Sequence, residues 1–432
     1  MEIYNLISFA GIFIFMGIAY GLSENRQKIN YRVLLWGILF QLIFASFIFI
    51  FPAGAKVFLW INDLVVAVLN ASQAGTKFLF GRLALPPGTE NEFGESSMGF
   101  FLAFQALPTI IFFSALTSLL YYAKVLPVVI KYFSRIFTKA MRISGAESLC
   151  STANIFVGVE SFLLIKPHLK NLTRSELTVV LTAGMATVAS NVMGIYIFSL
   201  QEIFPTIAGH LVAASFLSVP ASIIMAKLLV PETENPETLG LNVEPSYERE
   251  DNFFEAIING ANTGVRLIVG IGALLLAVLG IVALLDLILQ SIGGLINMGD
   301  EMNLRNLFGY AAYPFVIAMG VPFEDALRIA GIVGERLILT EVTSYMDLAV
   351  AMREEMIVHP RSAVIAAYAL CGFAHFASLS IFIGGMVGLI PERKADIAKM
   401  GFKALIAATL ATFMTGAIAG TFYMKGSSIL LF

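Results

Sequence analysis

Asn154-Ile155-Phe156-Val157-Gly158-Val159-Glu160-Ser161 and Leu339-Thr340-Glu341-Val342 each set a carboxylate inside an otherwise apolar stretch. An ionised side chain at membrane depth is costly, so it faces protein or water and marks a pathway or a site. Two interrupted apolar segments, far apart in one chain, are the pattern of paired half-helices in a secondary transporter.

The surrounding composition agrees. Of 432 residues, 58% are hydrophobic and only 13% are charged, with a mean hydropathy of +0.84. That leaves too little polar surface to clothe a soluble core of this size. Many segments reach the roughly 20 apolar residues that cross a bilayer, and the Leu/Ile/Phe/Ala runs lack the alternation of a barrel. An all-α polytopic membrane protein follows. The net charge of −3 says nothing about partners, and no basic nucleic-acid surface is present. Cys150 and Cys371 lie in apolar stretches, where they read as packing residues without metal spacing or a disulfide framework. The N-terminus has no basic leader or cleavage site, so its first apolar run reads as a retained span.

Eight spans are predicted, at about 4–22, 33–52, 100–122, 175–199, 207–229, 254–290, 361–389 and 402–424. Basic loops, at Ser23 to Lys28 with Arg32 and at Pro391 to Lys394, belong in the cytoplasm and leave both termini outside. Residues 54–82 carry Asn62, Asp63, Asn70 and Gln73 and read as amphipathic or interfacial helices rather than a crossing. Lys124, Lys131, Arg135, Lys139 and Arg142 recur at helical spacing, as in a basic helix at the cytoplasmic surface. Residues 146–167 form a re-entrant hairpin with basic flanks, tolerable only where protein or a cavity surrounds it. A second broken segment, 306–343, inserts from the opposite face.

Four regions result: scaffold and interfacial helices (1–98), a first half (99–230), an acidic linker (231–253) and a second half (254–432). Pro231 to Asp251 is Pro/Glu-rich and reads as solvated, with no fold of its own. Each half is a hairpin followed by two spans, with opposite insertion. That is the inverted-repeat logic of transporters.

Glu160 and Glu341 lie beside hairpin tips, where freed backbone groups and a carboxylate together can hold a polar solute. Either could instead pair with a cation and hold the fold; Arg336 and Glu335 offer such a network near Glu341. Asn154 and Thr187 supply amide and hydroxyl oxygens suited to a hard cation, or to helix–helix hydrogen bonds. His375 and Ser378 lie within the seventh span, where a histidine can bind a ligand, carry a proton or pack. His168, His210 and His359 fall at loop ends and read as solvated.

Several strings in order resemble the concentrative nucleoside transporter family. They are Ser23 to Asn30, Gly75-Thr76-Lys77-Phe78-Leu79-Phe80-Gly81, Leu107 to Leu116, Ala153-Asn154-Ile155-Phe156-Val157-Gly158, Gly320-Val321-Pro322 and Cys371-Gly372-Phe373-Ala374. The resemblance runs through nearly the whole chain. It implies an elevator-type homotrimer that imports nucleosides across a bacterial plasma (inner) membrane. It also implies substrate contacts at Val159, Glu160, Ser161, Val192, Glu341, Phe373, His375 and Ser378, with Glu341 accepting ribose hydroxyls. Sodium would be held at Asn154, Val157, Thr187 and Val188, with no other cofactor. The family's nucleobase-reading tip is usually Gly-Gln-Ser/Thr/Asn-Glu; here it is Gly158-Val159-Glu160-Ser161, with the carboxylate one position early. The family's ribose asparagine is His375 here, and its usual Asn-Glu-Phe is Thr340-Glu341-Val342.

The leading expectation is a sodium-coupled nucleoside symporter. The alternative is a transporter of the same fold for another small polar solute, coupled to protons or sodium. An enzyme would need a nucleophile–base pair or a metal cluster, and no spacing supplies one. A receptor would carry a soluble signalling domain, for which no segment is large enough.

Overall fold

Pro, Gly and short polar residues mark many of the helix ends, although Pro220 and Pro314 lie within helices. A computed structural model describes residues 3–91, 94–247, 250–295, 299–427 and 429, apart from the side chains of Val159 and Asp300. Helix α1 (Ile3–Gly21) ends at a glycine. Helix α2 (Tyr31–Phe49) starts behind Asn30, whose side chain caps the Arg32 N–H. Pro52 opens α3 (Pro52–Phe80), where its missing N–H costs nothing.

Helix α3 is one 29-residue helix, where the sequence suggested several interfacial ones. Its length and apolarity would let it cross a membrane, but its contacts run sideways. Asn62 accepts from the Gly209 N–H (3.1 Å) and donates to the Pro205 carbonyl (3.3 Å). Farther along, Leu69 reaches Gly194, and Leu83 and Leu85, just beyond the helix, accept from Gln105. Pro205, Gly209 and Gln105 lie at or beside helix ends, so α3 packs across the ends of neighbouring helices.

After α3 come the one-turn α4 (Leu102–Gln105), α5 (Thr109–Tyr122) and the basic α6 (Val125–Phe137). The first hairpin follows: α7 (Gly145–Ala153), a tip at 154–158, and a 3₁₀ arm from Val159 to Asn171. The next span is two helices, α8 (Arg174–Ala186) and α9 (Ser190–Leu200), before the unbroken α10 (Ile207–Leu229). The sequence had read 175–199 as one span with Thr187 in its middle. Thr187 is instead extended, at φ −113° and ψ 159°, so the helix breaks there.

The second half opens with α11 (Phe253–Leu295), 43 residues and about 65 Å long. Then come α12 (Leu304–Ala318), α13 (Phe323–Ile338) and α14 (Glu341–Arg353). The broken segment placed at 306–343 therefore extends to Arg353, and its break lies between Ile338 and Glu341. Helices α15 (Pro360–Leu370) and α16 (Phe376–Leu389) form another divided span, and α17 (Lys394–Phe422) closes the bundle. In each half a broken pair of arms precedes a divided span and an undivided one.

The basic loops share one face of the molecule. Arg32 donates to the Ala140 carbonyl (2.8 Å), Arg174 pairs with Glu24 (3.0 Å), the Glu24 N–H bonds the Leu229 carbonyl (2.9 Å), and Lys170 pairs with Glu392 (3.0 Å). The ends of the first hairpin reach this face. The second pair of arms starts and finishes at the opposite one, where Arg353 lies 3.9 Å from Glu202.

The 231–251 linker is not free of structure. Thr238 accepts the Gly145 N–H on its carbonyl (2.9 Å) and the Ala146 N–H on its hydroxyl (3.1 Å), while the Gly240 N–H bonds the Ile143 carbonyl (3.0 Å). The Ser246 N–H bonds the Leu164 carbonyl of the other arm (2.8 Å). The strap thus satisfies N–H groups that the start of α7 leaves without helical partners. Composition could not show this, because the bonds run to the strap's backbone and one hydroxyl.

At the opposite face, Arg361 holds four elements together. Its guanidinium donates to the carbonyls of Gly320 (2.8 Å), Tyr4 (2.8 Å) and Gly420 (2.7 Å), to Ser8 Oγ (2.6 Å) and to Asn5 Oδ1 (3.1 Å). Gly320 is required here: its φ is +84°, and a Cβ would fall 2.0 Å from Ser8 Oγ. His210 is also buried, bonded to Tyr368 Oη (3.1 Å) and the Ile429 carbonyl (2.8 Å), and not solvated as its loop-end position suggested. Arg361→Ala strands several buried acceptors and should cost about 3 kcal/mol or more. A thermal melt in detergent checks it; an unchanged Tm would contradict the clamp.

Candidate solute and cation site

Four backbone breaks meet near the middle of the bundle. Ser190 Oγ donates to the Phe156 carbonyl (2.7 Å), and a Cβ on Gly158 would lie 3.4 Å from Ala189 Cβ. The first hairpin tip therefore rests on the α8–α9 break. Gly372, in the α15–α16 break, comes so close to α8 that a Cβ would lie 2.8 Å from the Ala186 carbonyl oxygen. Glu341, at the break before α14, reaches His375 at the start of α16. Irregular backbone at this depth is stable only where protein or a cavity satisfies it.

Glu341 is almost fully buried, and side chains from two other helices reach it. Tyr196 Oη of α9 donates to Oε1 (2.7 Å), and His375 Nε2 lies 2.8 Å from Oε2. His375 Nδ1 accepts the Ser378 N–H (3.1 Å) as the cap of α16. A neutral ring then carries its proton on Nε2, which lies against Oε2 as a close polar contact, and Oε2 itself has no hydrogen-bond partner among the described residues. Tyr196 stacks on Tyr345 (4.6 Å between centroids), whose hydroxyl donates to the Ala367 carbonyl (2.7 Å). A carboxylate offers about four acceptor positions; Tyr196 takes one on Oε1, which leaves capacity for a solute.

Arg336 and Glu335 do not join this group. Arg336 is buried, with Nη1 bonded to the Ala369 carbonyl and to Thr412 Oγ1 (3.1 Å). Glu335 lies 3.4 Å from Arg305. The network expected around Glu341 therefore forms with Tyr196 and His375, not with its chain neighbours. Tyr196 gave no sequence signal beyond one phenol in an apolar span.

On the other side of the α8–α9 break, Asn154 ends α7. Its amide donates to the Cys150 carbonyl (2.9 Å), leaving a buried Oδ1 with no hydrogen-bond partner. Thr187 donates its hydroxyl to the Ala183 carbonyl (2.8 Å), so the oxygen's lone pairs remain available. Val157 and Val188 lie in the two non-helical stretches that touch here. Ser215 Oγ lies 3.5 Å from the Val188 carbonyl, and the remaining oxygen acceptors here are of the kind that suits a small hard cation.

Two cavities meet at the first tip. One, of about 120 Å³, is lined by Gly158, Glu160, Asn191, Val192, Glu341, Phe373, His375 and Ser378, with Leu267 and Ile271 of α11 as an apolar wall. The other, of about 470 Å³, is lined by Ser114, Tyr121, Val157, Lys166, Asn259 and strap residues Ser246, Tyr247 and Glu250. Glu160 and Asn191 line both. Of the predicted substrate residues, Ser161 is set apart: it is fully buried, accepts the Cys150 thiol (3.4 Å), and lines neither cavity. The backbone of Val159 opens the 3₁₀ arm; its side chain lies outside the described residues.

Known proteins resemble this chain in sequence and in fold. Residues 10–83 match the profile described as Na+ dependent nucleoside transporter N-terminus, residues 103–202 the Gate profile described as nucleoside recognition, and residues 210–420 the Na+ dependent nucleoside transporter C-terminus. The chain is 34% identical to the nucleoside permease NupC of Helicobacter pylori, over 97% of this chain and 98% of the permease. It is 36% identical to an uncharacterised transporter of Haemophilus influenzae, over 98% and 99%. Its fold matches CNTnw in an inward-facing substrate-bound state, with a TM-score of 0.87, 31% identity and 97% and 98% coverage. A doubly substituted CNTnw in an outward-facing state gives a TM-score of 0.89 at 31% identity, covering 99% and 100%. The chain belongs to the concentrative, Na+ dependent nucleoside transporter family, and it is a multi-pass membrane transporter, not an enzyme.

Proposed function

We propose that this protein imports nucleosides across a bacterial plasma membrane in symport with sodium. The observation that carries the reading is Glu341, gripped by Tyr196 and His375 at the wall of a cavity that meets a larger one. A carboxylate with spare acceptor capacity matches a pair of sugar hydroxyls, which neutral packing residues cannot satisfy. Phe373, Val192 and Ser378 complete this end of the substrate site, and Glu160 stands at its other end.

Sodium takes the site of Asn154, Val157, Thr187 and Val188. The unpartnered Asn154 Oδ1 supports this, since a buried acceptor without a donor costs about 1–3 kcal/mol. A cation there also screens the charge of a nearby carboxylate site, so ion and solute favour each other's binding. Transport follows an elevator path in which the hairpins and divided spans move against α11. In a homotrimer, the largely exposed apolar face of α11 would be covered by partner copies and lipid. The basic face lies in the cytoplasm, which puts the termini outside.

A second reading has specific support. The buried His375–Glu341 contact, 2.8 Å long, joins a base and an acid in the solute cavity, which suits proton coupling. Uptake of labelled uridine, adenosine and guanosine into vesicles distinguishes the two. An imposed sodium gradient should drive accumulation. Accumulation under a proton gradient alone would establish the second reading instead, and no uptake of any nucleoside would refute both.

Asn154→Ala should raise the sodium concentration for half-maximal uptake at least about tenfold, the effect of losing roughly 1.4 kcal/mol of ligand binding. An unaltered sodium curve would remove Asn154 from the ion site. Glu341→Gln should lower uptake by about a hundredfold or more, because it removes a charged acceptor and puts an amide between two donors. Wild-type uptake rates would rule out its role with the sugar.

A further inference from the structure

Glu160 is the carboxylate that the grip on Glu341 does not use. It is half-buried, lies at the junction of the two cavities, and has no hydrogen bond or ion pair among the described residues. Lys166 lines the larger cavity too, yet forms no salt bridge with it. Asn191 shares both cavities; it is almost fully buried, and its Oδ1 has no hydrogen-bond partner. Two polar groups left unsatisfied at the same junction await a ligand that supplies what they lack.

A solute held through its sugar at Glu341 would face this junction, because Glu160 and Asn191 line the Glu341 cavity as well as the larger one. The space beyond Glu160, about 470 Å³ against about 120 Å³ around Glu341, has room for a purine as well as a pyrimidine. The chemistry narrows the choice. An ionised carboxylate only accepts, and it can take two parallel N–H bonds on its two oxygens. A primary amide gives one acceptor and two donors, and with no protein partner the Asn191 amide can present either face.

Guanine has one edge with an oxygen acceptor, a ring N–H and an exocyclic amine in sequence, so its two adjacent donors match the carboxylate and its oxygen matches an amide N–H. Hypoxanthine keeps the ring N–H and the oxygen but lacks the amine. Uracil has one N–H between two carbonyls, so one of its oxygens is forced against the carboxylate. Adenine and cytosine place an acceptor nitrogen beside their amine, with the same penalty. Leaving such groups mismatched in a partly buried site costs more than a missing contact.

We propose that Glu160, with Asn191 beside it, is a specificity-determining residue that selects nucleosides whose base carries two adjacent N–H donors, the guanine class. This rests on the nucleoside reading above. Glu160 then does not repeat the role of Glu341: one carboxylate takes the sugar and the other reads the base.

The test is uptake of guanosine, inosine and uridine by the full-length protein in vesicles, under the driving ion gradient. Wild-type kcat/KM should be at least tenfold higher for guanosine than for uridine, with inosine between them. Glu160→Gln should lower the guanosine-to-uridine ratio by about tenfold or more, because the amide sets a donor against a donor. Uridine transported as well as guanosine by the wild type would overturn this assignment alone. So would a proportional loss of both in the variant, which marks a structural role. Failure of every nucleoside to enter would overturn it together with the nucleoside reading. The wild-type ranking decides the matter if the variant does not reach the membrane.

Discussion

A backbone that leaves the helix at membrane depth exposes N–H and C=O groups that lipid cannot satisfy. This chain does so four times, and the breaks are stable because they lie against one another. The tip at 154–158 rests on the break at 187–189 through Ser190 and Phe156, and Gly372 abuts the end of α8 with no room for a side chain. Among the described side chains there, Asn154 Oδ1, Asn191 Oδ1 and Glu341 Oε2 remain acceptors without a hydrogen-bond partner. The same breaks that make the fold possible therefore leave buried acceptors that the proposed cation and solute would satisfy.

The peripheral parts hold this centre in place from both faces. On the basic face, the strap from Thr238 to Ser246 bonds both arms of the first hairpin. At the other face, Arg361 joins α1, the turn at Gly320 and the end of α17. Charge-assisted bonds of this kind are individually stronger than neutral ones, and Arg361 concentrates five of them on one planar group. The two fastenings differ in kind. The strap uses backbone bonds and a hydroxyl, while the arginine uses one charged group to reach several elements.

The sequence made the architecture legible because hydropathy and the distribution of basic residues are strong signals in a membrane chain. The first hairpin fell within a few residues of its observed arms, and the charge pattern identified one basic face. The break at Thr187 was not visible, because β-branched and small residues also occur in intact spans and only the contact with Phe156 and Gly158 explains it. The second pair of arms was cut short at 343, because Leu339-Thr340 carries neither Gly nor Pro; its cap is a threonine hydroxyl. In the site, Glu341, His375 and Asn154 were legible as polar residues in apolar surroundings. Tyr196 was not, since a phenol is equally at home in packing. Ser161 misled for a related reason: at a tip, one residue of register turns a side chain from the cavity into the hairpin's own core.

That register also bears on how the two carboxylates divide their work. Glu341 follows a threonine cap at the first turn of α14, so helix geometry fixes its direction and the N-terminal dipole favours its charge. Tyr196 and His375 then hold both oxygens, and its orientation is set before any solute arrives. Glu160 stands near the start of an irregular 3₁₀ arm with no partner, so its direction depends on what binds. A pre-organised group suits the part of the solute common to all substrates, for which no adjustment is needed. An unpaired group at the junction suits the part that varies, where the cost of leaving a mismatched polar edge becomes the means of choosing.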